Sequence, residues 1–238
     1  MKQSNFLFQS TASIYNGVQA VLDEIMPYLA DVQSIMDFGC GMGCWSAVLH
    51  KKGFSRFQLI DHPSIPLDKI LFPDKACFLG VDLDKELPAV IKSDLVICTE
   101  VLEHFSTKRS LELLDFITDC ADLILFSAAI PGQGGVGHMN EQRHAFWHNE
   151  FSKRGYKWFD GFKPALVHQK EIPFYLRQNL FFYYKPTASF RFQGKANFTP
   201  EDMELVHKNI LNRPLTLKEL YRNFPSALRR FIKRVAKT

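Results

Sequence analysis

Residues 34–43 read Ser-Ile-Met-Asp-Phe-Gly-Cys-Gly-Met-Gly, and the fold prediction depends on this stretch. Its apolar residues predict a buried β-strand, Ser34–Phe38, because a strand covered on both faces shows no polar alternation. Residues 39–43 predict a tight turn, since glycine lets the backbone approach a ligand closely. Residues 44–52 have the composition of a helix. The stretch therefore predicts a strand, a ligand-binding turn and a helix.

The spacing of the glycines distinguishes between two kinds of cofactor. The dinucleotide fingerprint G-x-G-x-x-G requires a glycine at position 44, where this chain has Cys44. The carboxylate of Asp37 would also repel a pyrophosphate, whereas it would attract a sulfonium cofactor that carries an ammonium group. The turn therefore favours a sulfonium cofactor over a dinucleotide.

Further apolar segments predict the rest of a sheet. We expect parallel strands at residues 57–60, 76–79, 95–98 and 123–127, and a last antiparallel strand at 179–184. Helical segments lie between most of these strands, notably at 110–118. Apolar residues at helical spacing between Ile14 and Leu29 predict a first amphipathic helix that covers the edge of the sheet. Alternating strands and helices joined by right-handed crossovers give a doubly wound α/β domain.

Asp37 to Gly43 have the form D-x-G-x-G-x-G and resemble the first motif of class I S-adenosylmethionine-dependent methyltransferases. The resemblance extends over roughly residues 34–156. Asp61 follows the second strand, where the family places an acid that holds the cofactor ribose, and carboxylate oxygens suit a vicinal diol. Asp82 and Leu83 follow the third strand, where the family contacts adenine. Residues 100–104, Glu-Val-Leu-Glu-His, are a common form of the family's loop after the fourth strand.

This resemblance implies a fold, a cofactor and a set of binding residues. The implied fold is a doubly wound, mostly parallel seven-stranded sheet of the Rossmann-like methyltransferase type with N-terminal and C-terminal helices. The implied cofactor is S-adenosylmethionine. The residues expected to hold it are Asp37, Gly39, Cys40, Gly41, Gly43, Asp61, Asp82, Leu83, Thr99 and Glu100.

Two histidines are candidate catalytic residues. His104 follows the fourth strand on the side where ligands bind in open α/β sheets, and an unperturbed pKa near ~6.5 suits removal of a proton from a hydroxyl. His138 lies in a glycine- and histidine-rich loop, residues 132–148, that could cover the acceptor. The alternatives are that His104 only packs against the next helix and that the loop is solvated without a catalytic role.

We expect no metal, but one alternative involves a divalent cation. Glu100, Glu103 and His104 could converge on an ion with one of the histidines His138, His144 or His148. That set resembles the small-RNA terminal 2′-O-methyltransferases, which hold a terminal ribose with a metal. A catalytically silent cofactor-binding domain is a further alternative. DNA methylation is disfavoured, because the loop after the fourth strand lacks an N/D-P-P-Y sequence and no target-recognition domain is evident.

Composition limits the other classes of protein. The 238 residues are 46% hydrophobic and carry a formal charge of +4, which fits one globular domain and does not by itself indicate nucleic-acid binding. The five cysteines are expected to be reduced core thiols. No apolar run is long enough to span a bilayer and the first residues do not resemble a secretory signal, so we expect a cytoplasmic protein.

The end of the chain has a different character. We expect a methyltransferase domain over residues 1–190 and a basic helical extension over 191–238. In residues 226–237, apolar residues recur at helical spacing among arginines and lysines, which is typical of contact with an anionic membrane surface or of packing on protein. From the resemblance and this basic tail we predict methyl transfer to a hydroxyl of a small-molecule or carbohydrate acceptor of surface-glycan type, with RNA and DNA disfavoured.

Overall fold

A seven-stranded sheet organises residues 2–186, the part of the chain that the computed structural model describes. The strands are β1 Ser34–Phe38, β2 Arg56–Asp61, β3 Phe78–Gly80, β4 Leu95–Thr99, β5 Leu123–Ser127, β6 Lys157–Phe159 and β7 Phe181–Tyr184. The helices are α1 Lys2–Ile25, α2 Cys44–Lys51, α3 Thr107–Cys120, α4 His144–Lys153, α5 Lys163–Leu166 and α6 Phe174–Asn179. Short 3-10 turns cover Met26–Leu29, Leu67–Lys69, Lys75–Cys77 and Leu102–His104.

The strand order is β3-β2-β1-β4-β5-β7-β6, which confirms the predicted doubly wound fold. β1 to β5 are parallel to one another, and β7 is antiparallel to both β5 and β6. The order reverses between β1 and β4, where ligands bind in open α/β sheets because the loops on either side diverge. The fold therefore places the residues after β1 and β4 at the centre of any ligand site.

Side chains on the two faces of the sheet form two buried clusters. Alternation along β1 shows the division, because Ile35 packs with α1 and α2 whereas Met36 packs with α3 and α4. Burying a large apolar side chain stabilises a fold by about 1.5–3 kcal/mol. Both faces are thus apolar, which explains why the strand sequences show no polar alternation.

The first helix covers a face of the sheet rather than the predicted edge. Val18, Leu22 and Ile25 are fully buried in the cluster that contains the side chains of β1, β4 and β5 on that face. The periodicity predicted the helix correctly, but it carries no information on which surface of the sheet receives the apolar stripe. That choice depends on α2, which packs beside α1 on the same face.

Several element boundaries also differ from the predictions. Ala76 and Cys77 lie in a 3-10 turn, so β3 starts at Phe78, and Asn179 ends α6 instead of starting β7. The three-residue strand β6 was not located from the sequence, because a run this short gives no periodic signal. Each of the five cysteines is a free thiol, as expected.

The domain boundary predicted at residue 190 and the helix predicted at 226–237 both lie outside the described residues. Within residues 2–186, none of the helices is both long and apolar enough to cross a bilayer.

Candidate active site

The turn after β1 requires glycine for both conformation and space. Gly39, Gly41 and Gly43 have φ angles of +73°, +53° and +71°, in the left-handed region that side chains disfavour. A Cβ at Gly39 would lie 2.4 Å from Cγ2 of Val101, whereas one at Gly41 would have no atom within 4 Å. Gly39 therefore allows the loop after β4 to pack against the turn, and the backbone at Gly41 faces open space where a ligand can approach.

Backbone hydrogen bonds and one buried carboxylate fix the turn. The N–H groups of Gly39 and Cys40 donate to the carbonyl of Ile60 at 2.8 and 3.1 Å. Asp37 is buried, and its carboxylate accepts from the hydroxyl of Ser46 at 2.6 Å and from the Ser46 N–H at 3.3 Å. Burial raises the pKa of Asp37 to about 6, although the Ser46 hydrogen bonds oppose the shift. The carboxylate thus ties β1 to the start of α2, a structural role that the sequence did not predict.

Asp61 lies at the end of β2 and directly contacts the turn. One carboxylate oxygen accepts from the N–H of Gly41 and the other from the N–H of His62, both at 2.6 Å. Burial raises the pKa of Asp61, and these two hydrogen bonds oppose the shift. The predicted ribose-binding acid and the glycine turn are therefore one hydrogen-bonded unit.

Asp82 and Leu83 follow β3 at the same edge of the sheet. A hydrogen bond from Lys85 holds the pKa of Asp82 below its usual range, and Nε2 of His62 lies 3.7 Å from the same carboxylate. Leu83 is buried, and its carbonyl accepts from Nε of Arg109 at 2.7 Å. Asp82 thus lies at the surface, held by Lys85, and the adjacent Leu83 packs in the core beneath it.

The loop after β4 has a strained backbone at its first residue. Glu100 has a φ of +54°, the only positive φ of a non-glycine residue in the described part of the chain. Its N–H donates to the carbonyl of Ser127 at 2.9 Å, which fixes the loop to the end of β5. The preceding residue, Thr99, accepts a hydrogen bond from Nε1 of Trp45 at 2.9 Å. Strain of this kind persists where the surrounding structure holds a side chain in a functional position.

Polar side chains from distant parts of the chain surround Glu100. Its carboxylate accepts from Nε2 of Gln133 at 2.7 Å and from Nδ2 of Asn179 at 3.4 Å. Asn179 in turn donates to Gln133 and is hydrogen-bonded to His144. Burial raises the pKa of Glu100, and these amide hydrogen bonds oppose the shift. Glu100 was predicted to bind the cofactor. The structure places its side chain in a polar network that also includes the end of α6.

Glu103 lies in the 3-10 turn that follows and is completely buried, with 0% of its surface exposed. Oε1 accepts from the N–H of Ala129 at 3.2 Å, and Oε2 has no hydrogen-bond partner among the described residues. Burial, and then the neighbouring Glu100, raise the pKa of Glu103 to about 9. This carboxyl group is therefore protonated at neutral pH unless a cation lies beside it.

The two predicted catalytic histidines are in contact. The ring centroids of His104 and His138 are 4.9 Å apart and the rings meet edge to face. Partial removal from water, and then His138, lower the pKa of His104, while a hydrogen bond to the backbone of Gly137 opposes the shift. Nδ1 of His138 lies 3.1 Å from a carboxylate oxygen of Glu141. His104 is thus neutral at neutral pH and close to a second imidazole.

The loop that carries His138 is held in place at both ends. Glu141 accepts from the N–H groups of Gly132 and Gly134, both at 2.9 Å, and the carbonyl of Glu103 accepts from the N–H groups of Met139 and Asn140 at 2.8 and 3.0 Å. These bonds position His138 over the turn that contains His104. A loop covering the site was predicted, and Glu141 is the residue that shapes it.

Of the three downstream histidines considered as metal ligands in the sequence, only His138 lies beside His104. His144 is hydrogen-bonded to Asn179, and Nε2 of His148 accepts from Nε1 of Trp158 at 2.9 Å. Sequence reasoning missed Asn179, Gln133 and Glu141. No local motif marks them, because Asn179 lies 79 residues from Glu100 and meets it only through the pairing of β7 with β5.

A protein-family model matches the part of the chain that contains this site. A model described as a methyltransferase domain matches residues 12–159, which is more than half of the chain. This range contains the glycine turn, Asp61, Asp82 and the loop after β4. No curated protein has a significantly similar sequence.

Three solved structures show the same fold at low sequence identity. Magnesium protoporphyrin IX methyltransferase from Synechocystis PCC 6803, with S-adenosylhomocysteine bound, has a TM-score of 0.52 at 16% identity over 73% of this chain and 86% of its own. The plantazolicin methyltransferase BpumL has a TM-score of 0.52 at 14% identity over 77% of this chain and 89% of its own. A SAM-dependent methyltransferase from Archaeoglobus fulgidus has a TM-score of 0.51 at 16% identity over 71% of this chain and 93% of its own. With the family model, strand order and glycine turn in agreement, the chain belongs to the class I methyltransferase domain family, whose cofactor is S-adenosylmethionine.

Proposed function

We propose that this methyltransferase transfers its methyl group to a hydroxyl of a small-molecule or carbohydrate acceptor. The observation that carries the proposal is the polar group beside the glycine turn, where His104, His138 and Glu100 lie together with the amides of Gln133 and Asn179. His104 is the exposed member of this group, so its imidazole can hydrogen-bond a hydroxylated molecule, whereas a purely apolar acceptor would leave it without that partner.

The chemistry is an in-line displacement. The acceptor oxygen attacks the sulfonium methyl, the new C–O bond forms as the C–S bond breaks, and the sulfur keeps the electron pair in S-adenosylhomocysteine. The main requirement is alignment of the two substrates, which the rigid turn after β1 and the fixed loop after β4 supply. The hydroxyl must also lose its proton, and a positioned base contributes about 10²- to 10⁴-fold to such steps.

His104 is the better placed of the two histidines to assist this deprotonation. It is exposed, so an acceptor can reach it, and its lowered pKa keeps it neutral at neutral pH. His138 is less exposed and is oriented by Glu141. In this arrangement His138 and the loop around it position the acceptor against His104.

The cofactor residues divide into three groups in this proposal. Asp61 holds the ribose hydroxyls, Asp82 and Leu83 contact the adenine, and the residues of the turn approach the methionine part through their backbone. Asp37, whose charge favours a sulfonium cofactor, also holds the turn through Ser46. A lipid-linked glycan acceptor and a cytoplasmic location beside a membrane are narrower forms of the proposal, which depend on residues 226–237, outside the described part of the chain.

Calorimetric titration with S-adenosylmethionine and S-adenosylhomocysteine tests the cofactor site. Asp61→Ala removes the proposed acceptor of the ribose hydroxyls, and a hydrogen bond to a charged group is worth about 1.5–3 kcal/mol. We therefore expect the affinity to fall at least about 10-fold, whereas the exposed Asp68→Ala should bind as the wild type does. Well-folded protein without affinity for either compound would overturn the assignment.

A screen for methyl transfer from labelled S-adenosylmethionine tests the acceptor class. Simple sugars, hydroxylated aromatics and lipid-linked glycans are compared with matched amines and thiols. We expect label only in hydroxyl compounds, and a His104→Ala variant that binds the cofactor normally but transfers methyl at least about 100-fold more slowly. Preferential methylation of amines or thiols would refute the hydroxyl proposal.

A further inference from the structure

Three potential metal ligands lie next to the proposed acceptor site. Glu103, His104 and His138 each offer one ligand atom, and these atoms all lie within 4.8 Å of one another. Two atoms bound to one zinc-sized ion at about 2.1 Å lie at most about 4.2 Å apart. Small side-chain shifts would therefore bring all three onto a single ion.

Glu103 provides an independent indication that a cation belongs here. Its side chain is 0% exposed, and Oε2 has no hydrogen-bond partner among the described residues. The other oxygen already accepts from the N–H of Ala129. A buried polar atom without a partner is costly, and proteins rarely keep one without a reason. The neighbouring side chain is a second acid, Glu100, so a bound cation would supply a positive partner for Oε2 and offset the repulsion between the two carboxylates.

The two imidazoles are oriented by partners of the kind that metal-binding histidines have. Nδ1 of His138 lies 3.1 Å from the carboxylate of Glu141, and the ring of His104 is hydrogen-bonded to the backbone of Gly137. Ligating histidines usually form such a bond with a carboxylate or a backbone carbonyl, which fixes the ring orientation. Glu141 itself is fixed by two backbone N–H groups, so the support extends beyond the ligands.

We infer that Glu103, His104 and His138 bind a divalent first-row transition-metal ion. Two imidazoles and one carboxylate suit Zn²⁺, Mn²⁺ or Fe²⁺, whereas Mg²⁺ and Ca²⁺ prefer oxygen ligands alone. A site without metal was expected, since the downstream histidines do not match the pattern of the small-RNA methyltransferases. The convergence of the three side chains depends on the path of the loop that carries His138, which the sequence does not specify.

The role of the ion rests on the proposed function. Three protein ligands leave coordination positions open for an acceptor oxygen and water. A hydroxyl bound to a cation releases its proton to water more readily, and its oxygen then attacks the sulfonium methyl as described above. In this form of the mechanism the two histidines act through the ion, and neither serves as a free base.

Calorimetric titration of the full-length, tag-free, chelator-treated chain with Zn²⁺, Mn²⁺ and Mg²⁺ tests the site. We expect one ion per chain, with Zn²⁺ and Mn²⁺ binding more tightly than Mg²⁺. His138→Ala and Glu103→Gln should abolish this binding, whereas His168→Ala, which removes an exposed histidine outside the cluster, should leave it unchanged. Glu141→Gln should weaken it about 10- to 100-fold, the usual effect of losing a partner that orients a ligand.

Binding of S-adenosylmethionine by each variant is the control for folding. Since Glu103 is buried and its substitution could unfold the chain, His138→Ala in the surface loop is the deciding variant. Wild type that binds S-adenosylmethionine but neither Zn²⁺ nor Mn²⁺, or binding that survives His138→Ala, would overturn the metal site. Methyl transfer at full rate after chelation would overturn the role of the ion and leave the proposed function intact. Metal binding without transfer to any hydroxyl would overturn the proposed function and leave the metal site intact.

Discussion

Substitutions at two glycines of the same turn should have clearly different effects. Gly39→Ala and Gly41→Ala each place a Cβ on a left-handed residue, which costs about 1–2 kcal/mol. At Gly39 the new atom would also lie 2.4 and 2.8 Å from the two γ-carbons of Val101. Because a β-branched side chain has few alternative rotamers, this clash adds about 1–3 kcal/mol. Gly41→Ala meets no atom within 4 Å.

Thermal unfolding of the cofactor-free proteins measures the difference. The free energy of unfolding should fall by about 2–5 kcal/mol in Gly39→Ala and by about 1–2 kcal/mol in Gly41→Ala. These values correspond to a Tm lower by roughly 4–20 °C and roughly 2–8 °C, respectively. Without ligand, steric overlap between the new Cβ and the cofactor cannot contribute to either value.

A double-mutant cycle isolates the contact with Val101. Val101→Ala removes both γ-carbons, so Gly39→Ala should cost about 1–3 kcal/mol less in that background than in the wild type. The reasoning is refuted if the two glycine variants unfold at the same temperature, or if the cycle shows no coupling between positions 39 and 101.

Three further predictions concern the same site. Burial raises the pKa of Asp37 to about 6 in the folded chain, above its unfolded value, so ionisation of Asp37 destabilises the fold. The stability should therefore rise as the pH falls through 6 towards 4, and Asp37→Asn should reduce this dependence in urea unfolding curves; burial also raises the pKa values of Asp61 and Glu100, which account for the remainder. Thr99→Val leaves Nε1 of Trp45 without its acceptor and should lower the free energy of unfolding by about 1–3 kcal/mol, whereas Thr99→Ser should not, as fluorescence-monitored unfolding will show. Gln133→Ala frees Glu100 from an amide partner and should raise the KM for the acceptor without changing the affinity for S-adenosylmethionine; an equal loss of both would place Gln133 in the cofactor site instead.

The sequence predicted the sheet well where the strands are apolar and continuous. Ser34–Phe38 and Leu123–Ser127 were located correctly, and the spacing D-x-G-x-G-x-G at residues 37–43 indicated both the turn and its family. β6 and the exact start of β3 could not be located, because three residues define no period. The prediction that α1 covers the edge of the sheet was wrong, since an amphipathic stripe does not specify which apolar surface it meets.

Some residues of the candidate site could likewise be found from the sequence, and others could not. Asp61 and the glycines were assigned from the resemblance to the family, whose binding residues lie at the ends of parallel strands, which meet at one edge of the sheet. The partners of Glu100 could not be found in this way. Asn179 reaches it through α6 and the pairing of β7 with β5, and Gln133 reaches it through a loop whose path depends on Glu141.

By itself, then, the sequence determined the doubly wound sheet, the methyltransferase family and the residues that line the glycine turn, because these depend on local patterns of apolar and glycine residues. Only the tertiary structure decided that Val101 packs on Gly39, that Glu103 is buried with an oxygen lacking a partner, and that His138 rather than His144 or His148 joins His104. Such contacts join residues far apart in the chain, and their geometry follows from how the loops close over the sheet.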